Sequence, residues 1–96
     1  IIISVNNESR RERYNQVLKE ENISDVEVVV DEKKPCKGPL RGMMTGLKHS
    51  SGELTLVIPC DVPLIKPKVL DYLFKSIEDC DVAVPTWEKY HGFFVL

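Results

Sequence analysis

Leu54-Thr55-Leu56-Val57-Ile58-Pro59-Cys60-Asp61-Val62-Pro63 is the stretch on which the fold turns. Its first five residues are apolar or β-branched, which suits a strand buried on both faces, as in a parallel sheet. The two prolines stiffen the loop that follows. Asp61 stands in that loop, at the carboxyl end of the strand. A carboxylate on a rigid loop above a sheet can hold Mg²⁺ beside substrate phosphates, because Mg²⁺ usually takes one or two carboxylates plus phosphate oxygens. The other reading of Asp61 is a helix-capping or loop-stabilising residue.

Helical patterns flank this strand. Upstream, Gly38-Pro39 opens one with proline at the favoured first position. Leu40, Met43, Met44 and Leu47 recur at i, i+3, i+4 and i+7, an apolar helical face. Gly42 and Gly46 lie on the same helix, where small residues let backbone approach a strand or ligand closely. Ser50-Ser51-Gly52 ends it. Downstream, Pro67 opens a helix carrying Val69, Leu70, Leu73, Phe74 and Ile77, followed by a short strand at Asp81–Pro85 and a fifth in residues 92–96.

The beginning of the chain repeats the pattern. Ile1–Val5 reads as a buried strand, Asn6-Asn7 as a cap, and residues 8–21 as a polar helix with a narrow stripe of Tyr14, Val17 and Leu18. Asn22 is its expected terminator. Val26–Val30 is the second strand, and Asp31–Lys37 the loop after it. Strands alternating with helices predict an α/β fold, a mostly parallel sheet with helices on both faces. Ligands bind such sheets beyond the carboxyl ends of the strands. Those ends carry Asn6, Asp31 and Asp61. Asn6 can contact a nucleotide or cap the first helix. Asp31 can accept hydrogen bonds from a ribose or base, or cap a turn. The Gly38-Pro39-Leu40-Arg41-Gly42 entry offers helix N–H groups to an anion or a base edge, or is a structural turn.

Composition narrows the function. The 96 residues allow one domain, here 1–96, with 43% hydrophobic and 29% charged residues. Thirteen basic and fifteen acidic residues leave a net charge of −2, which gives no general pull toward nucleic acid or an anionic membrane. Cys36, Cys60 and Cys80 form no C-x-x-C pair, so neither a zinc motif nor a disulfide framework is expected, and the expected compartment is the reducing cytoplasm. No apolar run approaches the ~18 residues of a membrane span. Lys33, Lys34 and Lys37 form a short basic loop that is ordinarily just solvated. Trp87 and Tyr90 offer an aromatic surface for a ring ligand or a cover for the core edge. The chain begins and ends inside apolar runs, and is expected to be incomplete at both ends.

Gly38-Pro39-Leu40-x-Gly42, then Pro59-Cys60-Asp61-x-Pro63 after a strand, then Asp81-Val82-Ala83-Val84-Pro85 together resemble the molybdenum cofactor guanylyltransferases, the MobA-like nucleotidyltransferases. Ile2–Asn6 looks like that family's second strand with its nucleotide-contacting asparagine. The resemblance implies a three-layer Rossmann-like domain of the nucleotide-diphospho-sugar transferase type. It implies transfer of GMP from GTP to molybdopterin with loss of pyrophosphate, and molybdoenzymes or cofactor-pathway proteins as partners. It places Mg²⁺ on Asp61, the guanine nucleotide on Asn6 and Asp31, and the base pocket beside Gly38, Pro39, Leu40 and Gly42. The family's glycine-rich phosphate loop has no counterpart here and would precede Ile1, and the Pro-Leu pair usual before the last strand is absent from His91-Gly92-Phe93-Phe94. These residues alone are therefore expected not to catalyse the reaction. Three other readings remain open: a relative transferring another nucleotide, such as a cytidylyl or sugar-nucleotide enzyme; a receiver domain phosphorylated on Asp61, which Asn6-Asn7-Glu8 suits poorly for want of an acidic pair; and a non-catalytic binding domain.

Overall fold

Ile2–Val5 (β1) and Glu27–Val30 (β2) pair in parallel, with Ile3 opposite Val28 and Val5 opposite Val30. The computed structural model of the chain describes residues 1–33, 38–87, 90, 91, 94 and 95, with side chains described as far as Thr86. Lys34, Cys36 and Lys37 lie outside the described residues, as do the side chains of Trp87, Tyr90 and His91. The chain divides into two compact units, Ile1–Ser51 and Gly52–Leu96.

In the first unit, Glu8–Glu20 (α1) links the two strands, and its N-cap is Asn7, whose Oδ1 accepts the Arg10 backbone N–H at 2.9 Å. The cap is thus one residue later than Asn6, because the cap oxygen must reach the third helical N–H. Asn22 ends the helix as expected. It adopts φ 55° while its N–H reaches Lys19 O and the Ile23 N–H reaches Leu18 O, the paired bonds of a Schellman motif. The α1 stripe is shallow: Leu18 is half-buried, whereas Tyr14 and Val17 are exposed. Val5, Val28 and Val29 are the buried apolar residues among the described residues of the unit.

Pro39–His49 (α2) begins where proline predicts, with Gly38 as its N-cap. The face it packs differs from the one periodicity marks. Leu40 is 60% exposed, Met44 and Leu47 are exposed as well, and of that face only Met43 is half-buried. The residues turned to the strands are Gly42 and Thr45, and Thr45 is 2% exposed. Small side chains on this face let the helix axis come close to the strands.

In the second unit, Leu56–Val57 (β3) is shorter than the five-residue strand expected, and Leu54 and Ile58 are exposed. Pro67–Lys75 (α3) starts at its proline. Thr86–Trp87 (β4) and Tyr90–His91 (β5) pair antiparallel, and Phe94–Val95 (β6) pairs antiparallel with β3. Parallel pairing is therefore confined, among the described residues, to β1 and β2. The strand expected at Asp81–Pro85 is reduced to an isolated bridge at Ala83, and regular pairing begins only at Thr86. Pro85 has no N–H to give a ladder. Leu73 and Ile77 form the buried core of the unit, with Leu56 and Ala83 packed against them. No helix among the described residues is long and apolar enough to cross a membrane.

Candidate functional site

The carboxyl ends of β1 and β2 carry the polar residues that the alternation predicts. Asn6 follows β1. Its side chain is exposed and takes no hydrogen bond among the described residues, since Asn7 does the capping. Asp31 follows β2, and its backbone N–H continues the parallel ladder to Val5 O at 2.7 Å. Its carboxylate Oδ1 accepts a hydrogen bond from the Ser4 hydroxyl, across 27 residues of chain. Register explains the meeting. Ser4 pairs with Val29, and Val29 and Asp31 share a face of β2 because strand side chains alternate.

Helix α2 covers this pair with glycine. A Cβ on Gly42 would sit 3.1 Å from Ser4 Oγ and 3.8 Å from each carboxylate oxygen of Asp31. Gly42 therefore provides the close approach expected of it. Gly46 does not, since a Cβ there would meet nothing within 4 Å. At the helix entry, Gly38 adopts φ 67° and ψ −151°, a conformation essentially reserved for glycine.

A second clamp holds the next residue. The Glu32 N–H donates to Thr45 Oγ1 at 3.3 Å, and the Thr45 hydroxyl donates to Arg41 O at 3.0 Å, so this buried hydroxyl both accepts and donates. The Glu32 carboxylate pairs with Lys48 Nζ at 2.7 Å. Both partners of that ion pair are half exposed, which limits it to about 0–1 kcal/mol. The start of the loop after β2 is thus tied to β1 through Asp31 and to α2 through Glu32. Sequence reasoning passed over Ser4 and Thr45. The signal for Ser4 was present: it is the one polar residue in the otherwise apolar run Ile1–Val5.

Asp61 belongs to the second unit and occupies a turn between β3 and α3. It is exposed and makes no hydrogen bond or ion pair among the described residues. It borders an open groove of about 510 Å³ whose walls include Pro63, Leu64, Lys66 and Val69. No cluster of three or more His, Cys, Asp or Glu side chains able to hold a metal exists among the described residues. A single free carboxylate fits Mg²⁺ only in the mode where substrate phosphates and water complete the shell. Cys60 and Cys80 are free thiols at the surface.

Polar groups at the carboxyl ends of parallel strands, followed at once by a helix N-terminus, are the arrangement with which α/β proteins bind ligands. This chain belongs to the family of the MobA-like NTP transferase domain, whose family model matches residues 1–96. A probable molybdenum cofactor guanylyltransferase of Methanosarcina mazei is 32% identical over 89 residues, 93% of this chain and 39% of that protein. A molybdenum cofactor guanylyltransferase of Shewanella baltica is 34% identical over 71 residues, 72% of this chain and 36% of that protein. A probable molybdenum cofactor guanylyltransferase of Natronomonas pharaonis is 39% identical over 56 residues, 58% of this chain and 28% of that protein. The chain thus spans about two fifths, or less, of the curated relatives it matches. No solved structure matches it. Family membership leaves the receiver reading of Asp61 without support.

Proposed function

We propose that residues 1–96 are the central part of a nucleotidyltransferase domain that moves GMP from GTP to molybdopterin and releases pyrophosphate. The observation that supports this reading is the packing of Gly42 of α2 over the Ser4–Asp31 pair at the strand ends, in a chain of this family. The full domain is a three-layer Rossmann-like sheet in the cytoplasm, and its substrates are GTP and molybdopterin. Molybdoenzymes or other proteins of the cofactor pathway are its partners for handing on the product.

Phosphoryl-group chemistry of this kind needs positioning and charge neutralisation more than a covalent nucleophile. The Asp31 carboxylate and the exposed Asn6 amide bind the guanine nucleotide. The Gly38, Pro39, Leu40 and Gly42 backbone borders the base. Asp61 holds Mg²⁺, which when bound neutralises charge on the phosphates. Residues 1–96 do not turn over alone, because they contain no glycine-rich loop for the triphosphate.

The test is direct assay of the full-length protein with Mg²⁺, molybdopterin and each of GTP, CTP, UTP and ATP, following pyrophosphate release. Turnover with GTP alone is expected. Preference for CTP makes the protein a cytidylyl relative, and release with none of the four overturns the reading.

A further inference from the structure

The Ser4 hydroxyl spends its one donor on Asp31 Oδ1. We infer that Ser4 is the positioning residue of the nucleotide site: it fixes the Asp31 carboxylate so that Oδ2 is aimed at the ligand. The inference rests on the nucleotide-binding reading of Asp31.

Three constraints converge on that carboxylate. Its backbone is fixed by the ladder bond to Val5 O. One oxygen is taken by Ser4, whose backbone the β1–β2 register holds opposite Val29. The α2 backbone at Gly42 lies over the third side, where a Cβ would stand 3.8 Å from each carboxylate oxygen and press on Ser4 Oγ at 3.1 Å. An aspartate free to turn about its side-chain bonds loses that freedom when a ligand binds, and each immobilised side chain costs affinity. Ser4 removes the freedom in advance. Oδ2 then remains as an acceptor with a set direction, suited to a ligand N–H or O–H donor such as a guanine edge or a ribose hydroxyl. Ser4 touches no ligand in this arrangement and acts through Asp31 alone.

A double-mutant cycle on the full-length protein tests this, with GTP affinity measured by calorimetric titration and the ligand-free melting temperature measured beside it. Ser4→Ala and Asp31→Ala are each expected to weaken GTP binding by about tenfold, the scale of one hydrogen bond to a charged group. The double variant is expected to bind no more weakly than Asp31→Ala. Ser4→Cys, a poor donor of nearly serine's size, gives the same reading if the alanine variant does not fold. Unchanged GTP affinity in Ser4→Ala, with or without a lower melting temperature, overturns the inference while a weakened Asp31→Ala keeps the site. Losses that multiply in the double variant also overturn it, since Ser4 then acts apart from Asp31. An Asp31→Ala variant that binds GTP normally overturns the inference together with the reading beneath it.

Discussion

Thr45 Oγ1 receives the Glu32 backbone N–H at 3.3 Å, joining the middle of α2 to the loop after β2 across 13 residues. Thr45 is 2% exposed, whereas Glu32 lies at the surface. Thr45→Val keeps the shape and leaves the Glu32 N–H without its partner. Losing a part-buried hydrogen bond of this kind costs about 0.5–1.5 kcal/mol. Denaturant unfolding of the full-length protein is expected to show a loss in that range for Thr45→Val and a smaller one for Thr45→Ser, which keeps the hydroxyl.

Gly42 pits helix propensity against crowding. Alanine in a helix interior is better than glycine by roughly 0.5–1 kcal/mol. Against this, the new Cβ sits 3.1 Å from Ser4 Oγ, closer than ordinary van der Waals contact. The hydroxyl must yield by a few tenths of an ångström, and it moves Asp31 with it. Gly42→Ala is therefore expected to leave the melting temperature nearly unchanged and to weaken GTP binding severalfold. Equal affinity with wild type would show that the Ser4–Asp31 pair absorbs the methyl without moving.

Gly38→Ala and Gly46→Ala should change stability in opposite directions, although a Cβ at either position meets nothing within 4 Å. Gly38 has φ 67° and ψ −151°, where a non-glycine residue costs about 1–3 kcal/mol. Gly46 sits in regular helix and gains roughly 0.5–1 kcal/mol. Two melting curves decide it. A stable Gly38→Ala protein would mean that the entry of α2 can relax to a different cap.

The neighbouring asparagines separate stability from binding. Asn7→Ala removes the cap to Arg10 N and is expected to cost about 1 kcal/mol with GTP affinity intact. Asn6→Ala removes a side chain with no bond among the described residues, so stability should hold while GTP binding weakens. If both variants lose only stability, Asn6 has no part in the site.

The sequence was readable where a single residue type dictates local geometry. Pro39 and Pro67 mark helix starts, Asn22 a helix end, and the β-branched runs of β1 and β2 a parallel pair. It was less readable where tertiary contacts decide. The apolar periodicity of α2 marks Leu40, Met43, Met44 and Leu47, of which only Met43 is half-buried, yet the helix meets the first unit's strand ends through Gly42 and Thr45, because approach distance depends on the smallest side chains and periodicity on the largest. The Leu54–Ile58 run has strand composition, but only Leu56 and Val57 find ladder partners, in β6. The places of Asn6 and Asp31 just after β1 and β2 were legible from the alternation of strands and helices. Ser4 was hidden by its register: only the β1–β2 pairing brings it to Asp31.

Asp61 is exposed and bonded to nothing among the described residues, so replacing it should cost the ligand-free protein nothing. That makes Asp61→Asn a clean probe of metal binding. Asparagine keeps the size and one oxygen but removes the charge that holds Mg²⁺. A ligand at 100 times its dissociation constant adds about 2.7 kcal/mol of stability. In the full-length wild type, GTP with Mg²⁺ is expected to raise the melting temperature more than GTP with EDTA. In Asp61→Asn the two conditions should coincide, at the EDTA value, while the ligand-free melting temperature stays at that of the wild type. A variant that retains the full Mg²⁺ increment puts the metal on another carboxylate. A variant whose ligand-free protein melts early gives Asp61 the loop-stabilising role that its place between Pro59 and Pro63 also allows.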